Sequence, residues 1–107
     1  MAAITTHVLD TALGRPAAGV RVSLEVLEGE KWTAVSTGVT DADGRLRTLT
    51  EGHPLRRGNY RLVFATGAYN RGFFPEVTIT FEVKDPTAHH HVPLLLSPYG
   101  YSTYRGS

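Results

Sequence analysis

The 107-residue sequence contains no cysteine, which excludes disulfide bonds, a thiolate nucleophile and metal sites with sulfur ligands. It has no apolar run long enough to span a membrane, and its start lacks the basic and apolar stretches of a secretory signal. Its net charge is only +1, and its 11 lysines and arginines are scattered, so no surface for nucleic acid is expected. We therefore expect a soluble cytoplasmic protein with no membrane or nucleic-acid partner, in which any nucleophile is oxygen, nitrogen or water.

The pattern of hydrophobic residues predicts an all-β fold. Hydrophobic residues make up 41% of the chain, enough for one core, so residues 1–107 are expected to form a single domain. Segments with strand character, separated by turns, are residues 19–27, 32–37, 60–64 and 77–83. Their number and spacing are typical of a β-sandwich. One short helix is predicted at residues 68–73.

Both chain ends alternate between two faces, as strands do. Over residues 4–10, one face carries Ile4, Thr6 and Val8, and the other carries Thr5, His7 and Leu9. Over residues 89–97, one face carries Val92, Leu94 and Leu96, and the other carries His89, His91 and Leu95. If the aliphatic faces form the core, His7 and His91 point out of it. An outward Leu95 beside an outward histidine indicates a surface that another subunit covers. Residues 101–105 are predicted to form a further strand beside this one.

The last nineteen residues, 89–107, contain an unusual density of histidine and tyrosine for a chain end, which predicts a functional site. An imidazole titrates near neutral pH, so we expect His91 to act as a general acid or base. We expect His89 and His90 to be solvated residues at the strand end. A metal ion shared by His89 and His91 is an alternative, but the further ligands that such a site needs have no recognisable spacing, so we expect none.

Three further candidates, at residues 41–45 and at the last residue, each have a plain structural alternative. Residues 41–44 read D-A-D-G, which lacks the later glycine and acidic ligands of a calcium loop and instead predicts a hairpin turn with Gly44 at positive φ. Arg45 follows this turn and is either a solvated residue or one that faces a substrate. Ser107 offers a hydroxyl and an α-carboxylate on one residue, although a terminal serine is more often solvated.

Several short motifs distributed over the whole chain resemble those of the 5-hydroxyisourate hydrolase family, which shares its fold with transthyretin. The motifs are T-H-V-L-D at 6–10, G-R-P-A at 14–17, T-D-A-D-G-R at 40–45, F-F-P-E at 73–76, H-V-P-L-L-L-S at 91–97 and Y-S-T-Y-R-G-S at 101–107. The last of these is the most specific, whereas G-R-P-A and D-A-D-G-R also occur in other β domains.

The resemblance implies a transthyretin-like two-sheet β-sandwich of about eight strands, assembled as a homotetramer (a dimer of dimers) with active sites in the channel between dimers. It implies hydrolysis of 5-hydroxyisourate to 2-oxo-4-hydroxy-4-carboxy-5-ureidoimidazoline in urate degradation, without a cofactor or metal. The implied catalytic residues are His7, Arg45, His91 and Ser107. The implied substrate-binding residues are Tyr104, Arg105 and Gly106.

Two other functions remain open from the sequence. A transthyretin-like carrier would bind a hydrophobic ligand in the same channel, but it would not need His7, His91 and the terminal motif together. An interaction module like the regulatory domain of carboxypeptidases would explain the middle of the chain and would be a monomer, but it leaves the terminal motif unexplained.

Overall fold

The computed structural model describes residues 2–106. Over this part of the chain there are nine strands and one short helix. In order they are β1 (Ile4–Asp10), β2 (Arg15–Pro16), β3 (Arg21–Glu28), β4 (Lys31–Val39), β5 (Arg45–Leu46), β6 (Gly58–Phe64), α1 (Thr66–Tyr69), β7 (Val77–Val83), β8 (His90–Ser97) and β9 (Gly100–Thr103). The expected all-β architecture is confirmed, with two of the strands only two residues long.

The strands form two sheets. The first has the order β2-β1-β8-β9, and β5 also pairs with β1. The second has the order β4-β3-β6-β7. Neighbouring strands are antiparallel except β1 and β8, which run parallel and in register from Ile4↔His90 to Asp10↔Leu96. This long-range pairing brings the two ends of the chain side by side.

The core lies between the sheets and contains the alternating faces that the sequence predicts. Ile4, Thr6 and Val8 of β1 are fully buried. Leu94 and Leu96 of β8 are at most 1% exposed. The second sheet contributes Val22 and Leu24 of β3 and Leu62 and Phe64 of β6, all fully buried. Because these residues point inward, the alternate residues of β1 and β8 are directed to the outer face of the first sheet.

The helix differs from the prediction. It spans Thr66–Tyr69 and ends at Asn70, whose backbone is extended, instead of spanning residues 68–73. Phe73 donates its backbone N–H to the carbonyl of Pro98 at 2.7 Å, so this segment bonds to the β8–β9 turn and cannot continue a helix. Over residues 2–106 the structure contains no helix with the length and apolar character of a membrane span.

Candidate active site

A pocket of about 410 Å³ opens on the outer face of the first sheet. Its walls are mostly polar or basic side chains: Thr5, Thr6, His7, Arg45, Arg47, His89, His91 and Tyr104, together with Gly106. Of the sequence-predicted catalytic residues, His7, Arg45 and His91 therefore meet in one place. Ser107, the fourth, lies outside the described residues.

Strand β1 organises this pocket because it has a catalytic candidate opposite it on each side. On one side, antiparallel pairing with β5 places Arg45 directly opposite His7. On the other side, parallel pairing with β8 places His91 opposite Thr5. Residues two apart on a strand share a face, so Thr5 and His7 line the pocket together. The three strands thus bring both histidines and the arginine to one face without any loop rearrangement.

The predicted hairpin turn before β5 fixes the position of Arg45. Gly44 has φ 74°, and a Cβ there would lie 2.4 Å from the carbonyl oxygen of Val8, so only glycine fits against β1. The Asp41 carboxylate accepts hydrogen bonds of 2.9 Å from the backbone N–H groups of Asp43 and Arg45. The bond from Arg45 is the largest cause that lowers the pKa of Asp41. The turn is therefore packed and bonded in one conformation.

The same turn sets the tautomer of His7. His7 Nε2 lies 2.9 Å from the carbonyl oxygen of Asp43. A carbonyl can only accept, so Nε2 must carry a hydrogen and donate it. In the neutral ring, Nδ1 then holds the lone pair. His7 is thus prepared to take up a proton at Nδ1.

His91 is held through its other ring nitrogen. Its Nδ1 lies 2.8 Å from the Thr5 hydroxyl, which leaves Nε2 for a ligand or water. Burial, with the neighbouring Arg45, His89, His7 and Arg47 adding to it, lowers the pKa of His91. His91 is therefore neutral at pH 7 and available as a proton acceptor.

The chain end packs against His91. Gly106 donates its backbone N–H to the carbonyl of His91 at 2.8 Å. A Cβ on Gly106 would lie 2.5 Å from Cδ2 of that ring, so the close approach requires glycine. Tyr104 is 58% exposed and forms part of the pocket wall. Arg105 is not part of this wall; it lines a neighbouring cavity of about 250 Å³ between β7 and β9, and its Nη2 lies 3.4 Å from the carbonyl of His89.

Besides the buried Thr6, the structure adds three residues that the sequence analysis did not select, namely Thr5, Arg47 and His89. Each lies two positions from a selected residue, so the alternation of strand faces was a usable signal for all three. The expectation that His90 is solvated was wrong. His90 is 4% exposed because it lies on the core side of β8 with Val92. Burial is the main cause that lowers the pKa of His90.

The pocket holds no evident metal cluster. Among residues 2–106, no three histidine, aspartate or glutamate side chains are arranged to hold one ion. The polar groups that converge on the pocket are imidazoles, two guanidinium groups and hydroxyls. Such groups can accept and donate protons and can stabilise negative charge on a bound oxygen.

The fold and the site define a transthyretin-like β-sandwich with a basic, histidine-containing pocket on its outer face. Over residues 4–106 the sequence matches the HIUase/Transthyretin family, and the chain belongs to that family. A relative from Mesorhizobium japonicum, a 5-hydroxyisourate hydrolase, is 50% identical over 97% of this chain and 91% of its own length.

Two solved structures are similar in fold. The 5-hydroxyisourate hydrolase of Klebsiella pneumoniae has a TM-score of 0.87 and 39% sequence identity. The match covers 100% of this chain and 100% of the Klebsiella chain. Sea bream transthyretin in complex with thyroxine has a TM-score of 0.90 and 30% identity over 96% of this chain and 93% of its own. Fold similarity does not separate the two, but the sequence identities do. The relatives with the higher identities are 5-hydroxyisourate hydrolases, so the chain is an enzyme of this kind, a hydrolase.

Proposed function

We propose that the protein hydrolyses 5-hydroxyisourate to 2-oxo-4-hydroxy-4-carboxy-5-ureidoimidazoline in urate degradation. The observation that supports this most directly is the convergence of His7, Arg45 and His91 on one pocket. Relatives that are about half identical over nearly the full chain carry the same activity in their names. The reaction opens a six-membered ring at an acyl C–N bond, with water as the nucleophile.

In the proposed mechanism, His91 takes a proton from the attacking water. It is suited to this because it is neutral at pH 7 and its Nε2 is not used by Thr5. General-base action of this kind contributes on the order of 10²- to 10⁴-fold. His7, with a lone pair on Nδ1, is the second candidate for this base. The proton that the base removes from water is then passed to the leaving nitrogen as the C–N bond breaks.

Arg45 supplies the electrostatic part of the mechanism. Its guanidinium offers several fixed N–H donors and lies across the strand pair from His7. Donors that stabilise a developing oxyanion contribute on the order of 10²- to 10³-fold. Together with a general base this suffices for a labile substrate, so we propose a metal-free and cofactor-free reaction. Ser107 is proposed to position the water or a ring nitrogen, and Tyr104, Arg105 and Gly106 to shape the substrate site.

We further propose that residues 1–107 work as one domain and that four copies assemble as a dimer of dimers. The pocket lies on an open sheet face, and Tyr104 in its wall is more than half exposed in the single chain. A second copy placed over this face would close the pocket and exclude water. We also propose a cytoplasmic location.

The experiment that tests the proposed function generates the unstable substrate in place. Urate and urate oxidase are mixed, and the decay of 5-hydroxyisourate is followed in the near ultraviolet with and without the protein. We expect faster decay in proportion to protein concentration, unchanged after exhaustive chelation. Decay at the spontaneous rate would contradict the proposal. Loss of activity on chelation that one stoichiometric ion restores would contradict its metal-free part.

A further inference from the structure

One hydroxyl group connects two histidines in the pocket wall. Thr5 Oγ1 lies 2.7 Å from His89 Nε2 and 2.8 Å from His91 Nδ1. Thr5 is 5% exposed, so bulk water has little access to this hydroxyl. The geometry is fixed by the strands, because Thr5 is paired opposite His91 in the parallel register of β1 and β8. His89 is exposed, so solvent reaches its ring.

The single hydrogen of the threonine hydroxyl makes the two rings interdependent. When Nε2 of His89 holds a lone pair, Thr5 donates to it and accepts from Nδ1–H of His91. The lone pair of His91 is then on Nε2, and His91 is a base. When His89 is protonated, its Nε2–H donates to Thr5, and Thr5 donates to Nδ1 of His91. The hydrogen of His91 is then on Nε2, and His91 is a donor.

We propose that His89 and Thr5 are positioning residues that set the tautomer of His91, so that His91 acts as a base only while His89 is neutral. The catalytic consequence rests on the proposed hydrolase function, whereas the coupling between the rings does not. The sequence alone assigns His89 no role beyond that of a solvated strand-end residue.

Other charges near the pair change how readily it is protonated, but they do not change the direction of the coupling. The charged and titratable groups that face the pair are Arg45, Arg47, His7 and Arg105. Among residues 2–106, the Thr5 hydroxyl makes hydrogen bonds only to the two rings. The tautomer of His91 is therefore decided by whether Nε2 of His89 carries a hydrogen.

The test combines ring-nitrogen NMR with turnover in the full-length protein. Thr5→Val removes the hydroxyl, Thr5→Ser keeps it, and His89→Gln removes the titrating ring. The matched controls are Thr37→Val on the exposed face of β4 and His53→Gln in an exposed loop. The ¹⁵N shifts of the histidine rings are followed against pH, which reports the tautomer of His91 without any need for activity.

We expect the wild-type His91 ring to change tautomer as His89 becomes protonated, and this step to be absent in Thr5→Val and His89→Gln. In the coupled assay both variants should lose on the order of tenfold in kcat, with a smaller change in KM because the group that is lost assists proton transfer. Thr5→Ser should retain the tautomer step, and both controls should behave as the wild type does.

A His91 tautomer that is the same in Thr5→Val and wild type at every pH would overturn the inference. If Thr5→Val does not fold, the comparison of His89→Gln with wild type decides in the same way. A wild-type protein that shows the coupled NMR step but does not accelerate 5-hydroxyisourate decay would refute the proposed function and leave the coupling established.

Discussion

At the scale of single residues, the two catalytic candidates are fixed through opposite ring nitrogens. His7 is bonded through Nε2 to a backbone carbonyl, and His91 is bonded through Nδ1 to a hydroxyl. The nitrogens left for chemistry are therefore Nδ1 of His7 and Nε2 of His91. This assignment depends on partners in a turn and in a neighbouring strand, and neither partner is visible in the histidine motifs themselves.

We predict that His7→Asn, His91→Asn and Arg45→Ala each lower kcat/KM for 5-hydroxyisourate by about 10²-fold or more, because each removes a proton-transfer or oxyanion-stabilising group. The side chains are only half-buried, so the fold should remain, as circular dichroism can check. His53→Asn, at an exposed histidine outside the pocket, should keep full activity. A folded His91→Asn protein with the wild-type rate would refute the role of His91.

Two histidines also make stability depend on pH. Burial is the first cause that lowers the pKa of both His90 and His91 from the ordinary 6.5. Below that pH the unfolded chain binds more protons than the folded chain, so stability is complete above about pH 6.5 and falls as the pH drops toward the folded values. The carboxyl groups of Asp10 and Asp41 have lowered pKa values too, but they act only below about pH 5.

We therefore predict that the free energy of unfolding decreases between about pH 7.5 and about pH 5.5. His90→Gln should show a smaller decrease than the wild type, because glutamine does not titrate. Guanidinium unfolding at both pH values measures the difference. An equal decrease in the two proteins would exclude a contribution from His90.

At the scale of elements, the terminal segment after β9 forms one wall of the pocket. Tyr104 stands between the pocket and the neighbouring cavity, since it lines both. Gly106 touches the ring of His91. A segment with these contacts influences both the size of the site and the position of its base.

We predict that Gly106→Ala lowers kcat by about tenfold to about hundredfold. The added Cβ must displace either the His91 ring or residue 106, and a shift of about 1 Å in a catalytic group can cost about 10²-fold. Gly100→Ala in β9 is the matched control, since its Cβ would lie an ordinary 3.6 Å from Ser97 Oγ. The coupled assay and circular dichroism check both variants. Equal, full activity in the two would show that the close approach of Gly106 does not matter for turnover.

Tyr104→Thr should lower hydrolysis and allow a bulky aromatic ligand to bind, because it removes a large side chain from the pocket wall. Titration with a thyroxine-like probe beside the coupled assay measures both effects. Tyr99→Thr, at a tyrosine that is 83% exposed in the β8–β9 turn, serves as control. Full activity without new binding in Tyr104→Thr would contradict its role as a pocket wall.

The alternating faces of β1, β3 and β8 could be predicted from the sequence, because a period of two follows directly from strand geometry. The bounds of α1 could not, because they depend on a hydrogen bond from Phe73 to Pro98, far along the chain. Likewise, the pairing of β1 with β5 is only two residues long and is set by the packing of Gly44. The position of Arg45 beside His7 therefore became visible only in the structure.

At the scale of the whole molecule, the outer face of the first sheet combines the polar pocket with an apolar strip. Leu9 and Leu95 are opposite each other in the register of β1 and β8, and both are half-buried on this face. An open pocket beside partly exposed aliphatic groups is typical of a surface that a second copy covers. The site would then be complete only in the assembly.

We predict that the protein sediments as a tetramer at micromolar concentration and that Leu95→Glu dissociates it, because a carboxylate would have to be buried without a partner at the interface. Activity should fall together with the tetramer, since the separated chain leaves His7 and His91 on an open face where water competes with the substrate. Val39→Glu introduces the same charge at a residue that is 50% exposed on the second sheet and should leave both assembly and activity unchanged. Sedimentation velocity and the coupled assay on the same samples test the two effects together. A Leu95→Glu monomer with full activity would separate catalysis from assembly and show that one chain closes its own pocket.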